Sequence, residues 1–213
     1  MKKALIFAGG WEGHEPLSVA ERLGGVLKEN GFSVDIATNL DVLSDASFVQ
    51  SMDLLVPCWT MGKLPREARK NICAAVENGT GMAGCHGGMC DAFREDTDWQ
   101  FLTGGQFVAH PSGDGTQYTV HICTGSPITD GIGDFDVCSE QYYMHVDPAV
   151  QVLATTHFEP FMGNPAVEMP VVWTKRWGKG RVFYSSLGHH ADQFDIVPQS
   201  LLLMERGMLW ASR

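Results

Sequence analysis

Apolar and polar positions follow two alternating rhythms through the first half of the chain. Lys3 to Ala8 is a nearly unbroken apolar run, as expected of a strand buried on both faces. A glycine-rich loop, Gly9 to Pro16, leads to a predicted helix from about Leu17 to Asn30. Its stripe is Val19, Leu23, Val26 and Leu27, with Pro16 suited to its start and Gly31 to its end. Phe32 to Ala37 alternates as a second strand, and Asp53 to Trp59 reads as a third, with Pro57 near its end. Pro65 opens a helix to Asn78, with Ile72, Ala75 and Val76 inward and Arg66, Arg69, Lys70 and Glu77 outward. A short run of small and apolar residues around Met82 then makes a fourth strand. This order implies right-handed parallel crossovers and a doubly wound sheet, in which ligands sit beyond the carboxyl ends of the strands.

After Phe93 the pattern loosens. Asp96 to Pro111 reads as a short helix followed by an irregular segment. Strands are expected at Gln117 to Ile122, Asp134 to Val137 and Val150 to Thr156. Val171 to Arg176 and Arg181 to Leu187 flank a glycine-bearing turn and form a hairpin. It delivers Gly188-His189-His190-Ala191-Asp192. The last helix, about Pro198 to Ala211, is expected to pack Leu201, Leu202, Met204, Met208 and Leu209.

The junction after the fourth strand, Gly84-Cys85-His86-Gly87-Gly88, has the form Gly-x-X-x-Gly. Small residues two before and two after a central residue let a strand fold sharply into a helix, with the central side chain at the sheet edge. That residue is His86. Neighbouring strand side chains point to opposite faces, so Cys85 is turned away from the direction of His86 and is expected to be structural.

Composition narrows the field. The 213 residues suit one domain spanning 1–213, and 44% hydrophobic with 19% charged residues argues for a full core rather than disorder. A formal charge of −10 argues against nucleic acid or an anionic membrane as partner. The N-terminal apolar run is too short for a signal sequence, and no segment has the length of a bilayer span. Six cysteines without a Cys-x-x-Cys pair disfavour a finger-type zinc site and fit free thiols in a reducing cytoplasm.

Candidate chemistry lies in the loops. His14, His86, His110, His145, His189 and His190 follow predicted strands or sit in irregular connections, where binding residues gather. His121 and His157 lie in strands and are read as structural. Glu140, just beyond a strand, could serve as a general base, orient a histidine or cap a turn. Asp192 could orient His190. Trp11, Trp59, Tyr142 and Tyr143 could stack on a sugar ring or simply seal the core. A bolder expectation makes His86, His110 and His145 ligands of a shared divalent metal, zinc foremost, with Glu140 beside them. The alternative is a set of substrate-binding histidines without metal.

Four stretches together carry a resemblance: the elbow; Gly104-Gly105-x-Phe107-x-x-His110; Ser139-Glu140-x-Tyr142; and Trp173…Gly178-Lys179-Gly180-Arg181-Val182-Phe183-Tyr184…Leu187-Gly188-His189. The chain resembles the ThuA-like family of trehalose-utilisation proteins over nearly its whole length. The resemblance implies a fold related to class I glutamine amidotransferases: a flavodoxin-like, three-layer α/β sandwich with a mainly parallel sheet plus an antiparallel hairpin. It also implies a role in carbohydrate metabolism. The amidotransferase pattern Gly-x-Cys-x-Gly would place its nucleophile at His86, which argues against ammonia transfer from glutamine. The late His-x-Glu of that pattern could match His190-Ala191-Asp192, whereas the ThuA-like motif points to His189. Ser139 stands where the family usually has Asp. Two functions follow. One is a hydrolase-type enzyme on a small sugar or glycoside, with His86, Glu140 and His189 catalytic and Trp11, His14, Trp59, His110, Tyr142, His145 and His190 binding substrate. The other is a non-catalytic sugar-binding or regulatory protein. Either is compatible with a homo-oligomer.

Overall fold

A nine-stranded sheet organises the computed structural model, which describes residues 1–123 and 125–213. Its strands are β1 (Lys3–Gly10), β2 (Ser33–Ala37), β3 (Leu54–Thr60), β4 (Gly81–Cys85), β6 (Thr116–Ile122), β7 (Phe135–Ser139), β9 (Gln151–Phe158), β10 (Val167–Trp177) and β11 (Gly180–Ser185). β5 (Gly105–Ala109) and β8 (Tyr143–Val146) pair separately and antiparallel. In the large sheet the order is β2-β1-β3-β4-β11-β10-β9-β6-β7. The first five strands are parallel, and the remaining four extend the sheet by antiparallel pairing. The helices are α1 (Pro16–Glu29), α2 (Ala46–Gln50), α3 (Arg66–Glu77), α4 (His86–Cys90), α5 (Thr97–Thr103), α6 (Gln193–Ile196) and α7 (Pro198–Ala211). None among the described residues is long and apolar enough to cross a membrane.

The two-residue period of β1 sets up the layers. Ala4, Ile6 and Ala8 face one core, which α1 and α7 cover; Leu5 and Phe7 face the other, which α3 and α5 line. The result is the expected mainly parallel α/β sandwich. The 171–187 hairpin forms with Gly178 and Lys179 at its turn. Gly105–Ala109, expected to be irregular, is a strand because it pairs with Tyr143–Val146, a partner about forty residues away.

The buried face of α7 also differs from expectation. Ser200, Leu203, Met204, Gly207, Met208 and Ala211 are buried, while Leu201, Leu202 and Leu209 are only partly so. The cause is Gly207: a Cβ there would lie 2.4 Å from the Phe183 ring, so this face of the helix sits flush on β11. Trp173 on β10, fully buried, joins the large sheet to the small one. Its Nε1 donates to the Thr103 carbonyl at 3.0 Å, and its ring lies against Gly105.

Candidate functional site

Loops at the carboxyl ends of β1, β3, β4 and β11 meet at one edge, where they hold the side chains with chemical capacity. Three of them carry a non-glycine residue in the left-handed region: Glu15 (φ 46°) after β1, Met61 (φ 60°) after β3 and His86 (φ 44°) after β4. Strained backbone of this kind persists only where surrounding contacts enforce it. At His86 the enforcement is steric. A Cβ on Gly84 would meet Met89 at 2.8 Å and one on Gly88 would meet the Cys58 backbone at 3.0 Å, so the elbow closes only with both glycines. The Tyr184 hydroxyl donates to the His86 carbonyl at 3.1 Å and pins the turn.

His14, His86, Glu140 and His189 converge there, all buried, with one ligand-capable atom of each lying within 4.8 Å of the others. Glu140 Oε2 is 3.1 Å from His86 Nε2, 3.4 Å from His189 Nδ1 and 3.8 Å from His14 Nε2. His86 Nε2 also lies 3.1 Å from His189 Nδ1. The outward nitrogens of two rings are tied back: His86 Nδ1–H donates to the Ser186 carbonyl at 2.8 Å, and His14 Nδ1 is 2.9 Å from Thr60 Oγ1. The turn carrying His189 is fixed by Gln193, whose Oε1 accepts from the backbone N–H groups of Gly188 (2.6 Å) and His189 (2.9 Å). Glu140 arrives from β7, and its carbonyl accepts from the Tyr118 hydroxyl at 3.2 Å. Tyr142 stacks on His86 at 4.0 Å between ring centroids.

Burial, the largest influence, lowers the pKa of His86, and it takes that of His189 down to about 4, so both imidazoles are neutral at pH 7. Burial pushes the Glu140 carboxyl upward, but the His14 and His86 imidazoles outweigh it and hold the group well below the usual carboxylate range.

The other expected residues are distributed around it. His110 is exposed, with Nε2 3.5 Å from Glu140 Oε1, at the mouth of the cluster. Trp11 is half exposed and meets His14 edge-on at 4.7 Å. His190 is partly buried with Glu15 as its carboxylate neighbour, 3.6 Å away; Asp192, expected to orient it, is exposed. Trp59 packs on Phe93 and against Gly9, away from the cluster. His145 is not brought to the site: strand alternation in β8 buries Met144 and exposes His145, which lines a groove with Phe101, Gly105 and Asp147. The expected ligand trio His86, His110 and His145 is therefore not assembled, and His14 and His189 take the places beside His86. His121 and His157 pair with Asp134 and Glu168 on the surface. Cys85 packs in the core, where burial pushes its thiol up to about 12. Thr60, Ser186 and Gln193 escaped the sequence reading. The first two stand at strand ends next to residues already singled out, which was the available signal.

The ThuA family profile, described as "Trehalose utilisation", matches residues 3–211, and the chain belongs to that family. Among solved structures it is similar to a putative ThuA-like protein from Bacteroides uniformis, with 22% identity, 99% of this chain and 91% of that chain covered, and a TM-score of 0.77. A putative ThuA-like protein from Parabacteroides merdae is 20% identical, with 99% and 89% covered and a TM-score of 0.75. A beta-galactosidase from Bacillus circulans is 13% identical, with 99% of this chain but 31% of that one covered and a TM-score of 0.62. No curated protein matches the sequence.

Proposed function

We propose that this member of the ThuA family is an enzyme of carbohydrate utilisation that acts on a trehalose-related or other glycoside-derived sugar, with its reacting atoms at the His86–Glu140–His189 cluster. The observation that carries this reading is a single buried carboxylate, Glu140, within 3.8 Å of three buried imidazoles and 3.5 Å of a fourth at the mouth. A carboxylate held in its ionised form steadies positive charge that develops at the reacting centre. The His86 and His189 imidazoles, their pKa lowered by burial, are the groups able to take up or pass on a proton. His110 and Trp11 stand where a sugar would enter, the first to bond a hydroxyl and the second to cover an apolar ring face.

A thiol mechanism is disfavoured. Cys85 is buried in the core with a raised pKa, whereas nucleophilic cysteines are partly exposed thiolates. Hydrolysis by a water held at the cluster, rather than a glutaminase reaction, suits these residues. The non-catalytic alternative draws on one observation: the nucleophile position of the elbow is held by His86, an imidazole, in place of a thiol or hydroxyl.

The test is proton NMR of a panel of disaccharides, glycosides and sugar lactones incubated with the protein and with Glu140→Gln. Turnover of a panel member, reduced about 100-fold or more in the variant, is expected for loss of the buried negative charge. Binding of a sugar with no turnover would favour the regulatory alternative; equal turnover by both proteins would remove Glu140 from the chemistry.

A further inference from the structure

We infer that His14, His86, His189 and Glu140 together form a four-ligand site for a first-row divalent transition metal, with zinc the best-fitting ion. The inference deepens the reading above and uses the same cluster. It replaces the expected His86–His110–His145 set with residues that the fold brings together.

Distances come first. Four ligands around zinc at about 2.1 Å in tetrahedral array are separated by about 3.4 Å from one another. Four of the six separations here are 3.1 Å (His86–Glu140), 3.1 Å (His86–His189), 3.4 Å (His189–Glu140) and 3.8 Å (His14–Glu140), and all six lie within 4.8 Å. The four bracket that value.

The placement of protons is the second argument. His86 Nδ1–H is committed to the Ser186 carbonyl, so the neutral ring presents a lone pair at Nε2. That lone pair faces the Glu140 carboxylate at 3.1 Å, which sets two acceptors against each other. A cation between them turns this opposition into two bonds. Tying the outward ring nitrogen to a carbonyl or hydroxyl, as Ser186 does for His86 and Thr60 for His14, is how metal-binding imidazoles are held in orientation.

Donor chemistry then selects the ion. Three imidazole nitrogens and one carboxylate oxygen suit zinc and its first-row neighbours, and they are too nitrogen-rich for magnesium or calcium. Cys85, the nearest cysteine in the chain, packs in the core, so no thiolate competes. His110, 3.5 Å from the other carboxylate oxygen, stays outside the four-ligand set at the mouth of the cluster.

The experiment uses protein prepared without an affinity tag, stripped with chelator and titrated with zinc against a chromophoric competitor. One tight zinc site per chain is expected, weakened about 100-fold or more in Glu140→Gln and in His14→Gln and unchanged in His145→Ala. At one zinc concentration the melting temperature should rise in the wild type and rise less in Glu140→Gln. Circular dichroism checks that each variant is folded; should His14→Gln fail, Gly87→Ala supplies a second route to displacing His14. No tight site, or equal affinity in Glu140→Gln, would overturn the inference. Turnover of a sugar by metal-free protein would overturn the metal and leave the enzyme reading standing. Tight zinc without turnover across the panel would do the reverse.

Discussion

Gly87→Ala should disable the site while leaving the fold intact. Gly87 is the second residue of α4, and a Cβ there would stand 2.2 Å from His14 Nδ1, 2.3 Å from His14 Cε1 and 3.2 Å from Thr60 Oγ1. An ordinary contact between such atoms is about 3.5 Å, so the imidazole must recede by roughly 1.3 Å. The ring, held between Trp11, His86 and His189, has to swing aside to admit the methyl. The swing breaks the 2.9 Å contact with Thr60 and carries Nε2 away from Glu140. Gly87 has no positive φ, so alanine brings no backbone penalty and adds up to about 1 kcal/mol of helix propensity. A misplacement of about 1 Å at a reacting centre costs about 100-fold, close to 2.7 kcal/mol. The expected result is a melting temperature within a few degrees of wild type, with zinc affinity and turnover both down about 100-fold. Gly25→Ala, with nothing within 4 Å of the new Cβ, is the control and should change neither. Wild-type zinc affinity and turnover in Gly87→Ala would refute the placement of His14 in the centre.

Further outcomes follow from the same contacts. Cys85→Ala should retain most activity, read by the NMR assay, because the thiol lies in the core with a pKa near 12; loss of turnover in folded protein would restore a thiol mechanism. Trp173→Phe should lower stability by about 1–3 kcal/mol in urea denaturation, since it leaves the Thr103 carbonyl without its buried donor; an unchanged midpoint would count against that bond. Metal-free protein should lose stability as pH falls from about 6.5 towards 4. His189 stays neutral in the fold to about pH 4 while its unfolded counterpart protonates near 6.5, so the unfolded state binds more protons across that window and stability rises with pH. The lowered pKa of His86 acts in the same direction, and His189→Gln should flatten the melting-temperature profile.

The parallel half of the molecule was legible in sequence because β1, β3 and β4 are short apolar runs and α1 and α3 between the strands carry apolar stripes. The antiparallel half was less so. β5 pairs with β8 across about forty residues, and neither Gly105–Ala109 nor Tyr143–Val146 has enough alternation to declare itself alone. Missing β8 is also why His145 was expected inside: once Met144 is known to face the core, the two-residue period turns His145 out. His86, Glu140 and His189 could be singled out by residue type beside strand ends. Their mutual geometry could not, because β4 and β11 become neighbours only through long-range sheet order, and Glu140 is carried in by the segment that follows the edge strand β7. His14 was foreseen at this edge, but its place in the inner cluster depends on the absent side chain of Gly87.

The convergence of Glu140 with three imidazoles is the claim on which the functional reading rests. It is tested most directly by diffraction from crystals of tag-free protein grown with zinc, with data collected above and below the zinc absorption edge. The expected result is one anomalous peak about 2.1 Å from Nε2 of His14, Nε2 of His86, Nδ1 of His189 and Oε2 of Glu140. A strong peak elsewhere with this cluster empty, or imidazoles directed away from Glu140, would contradict it.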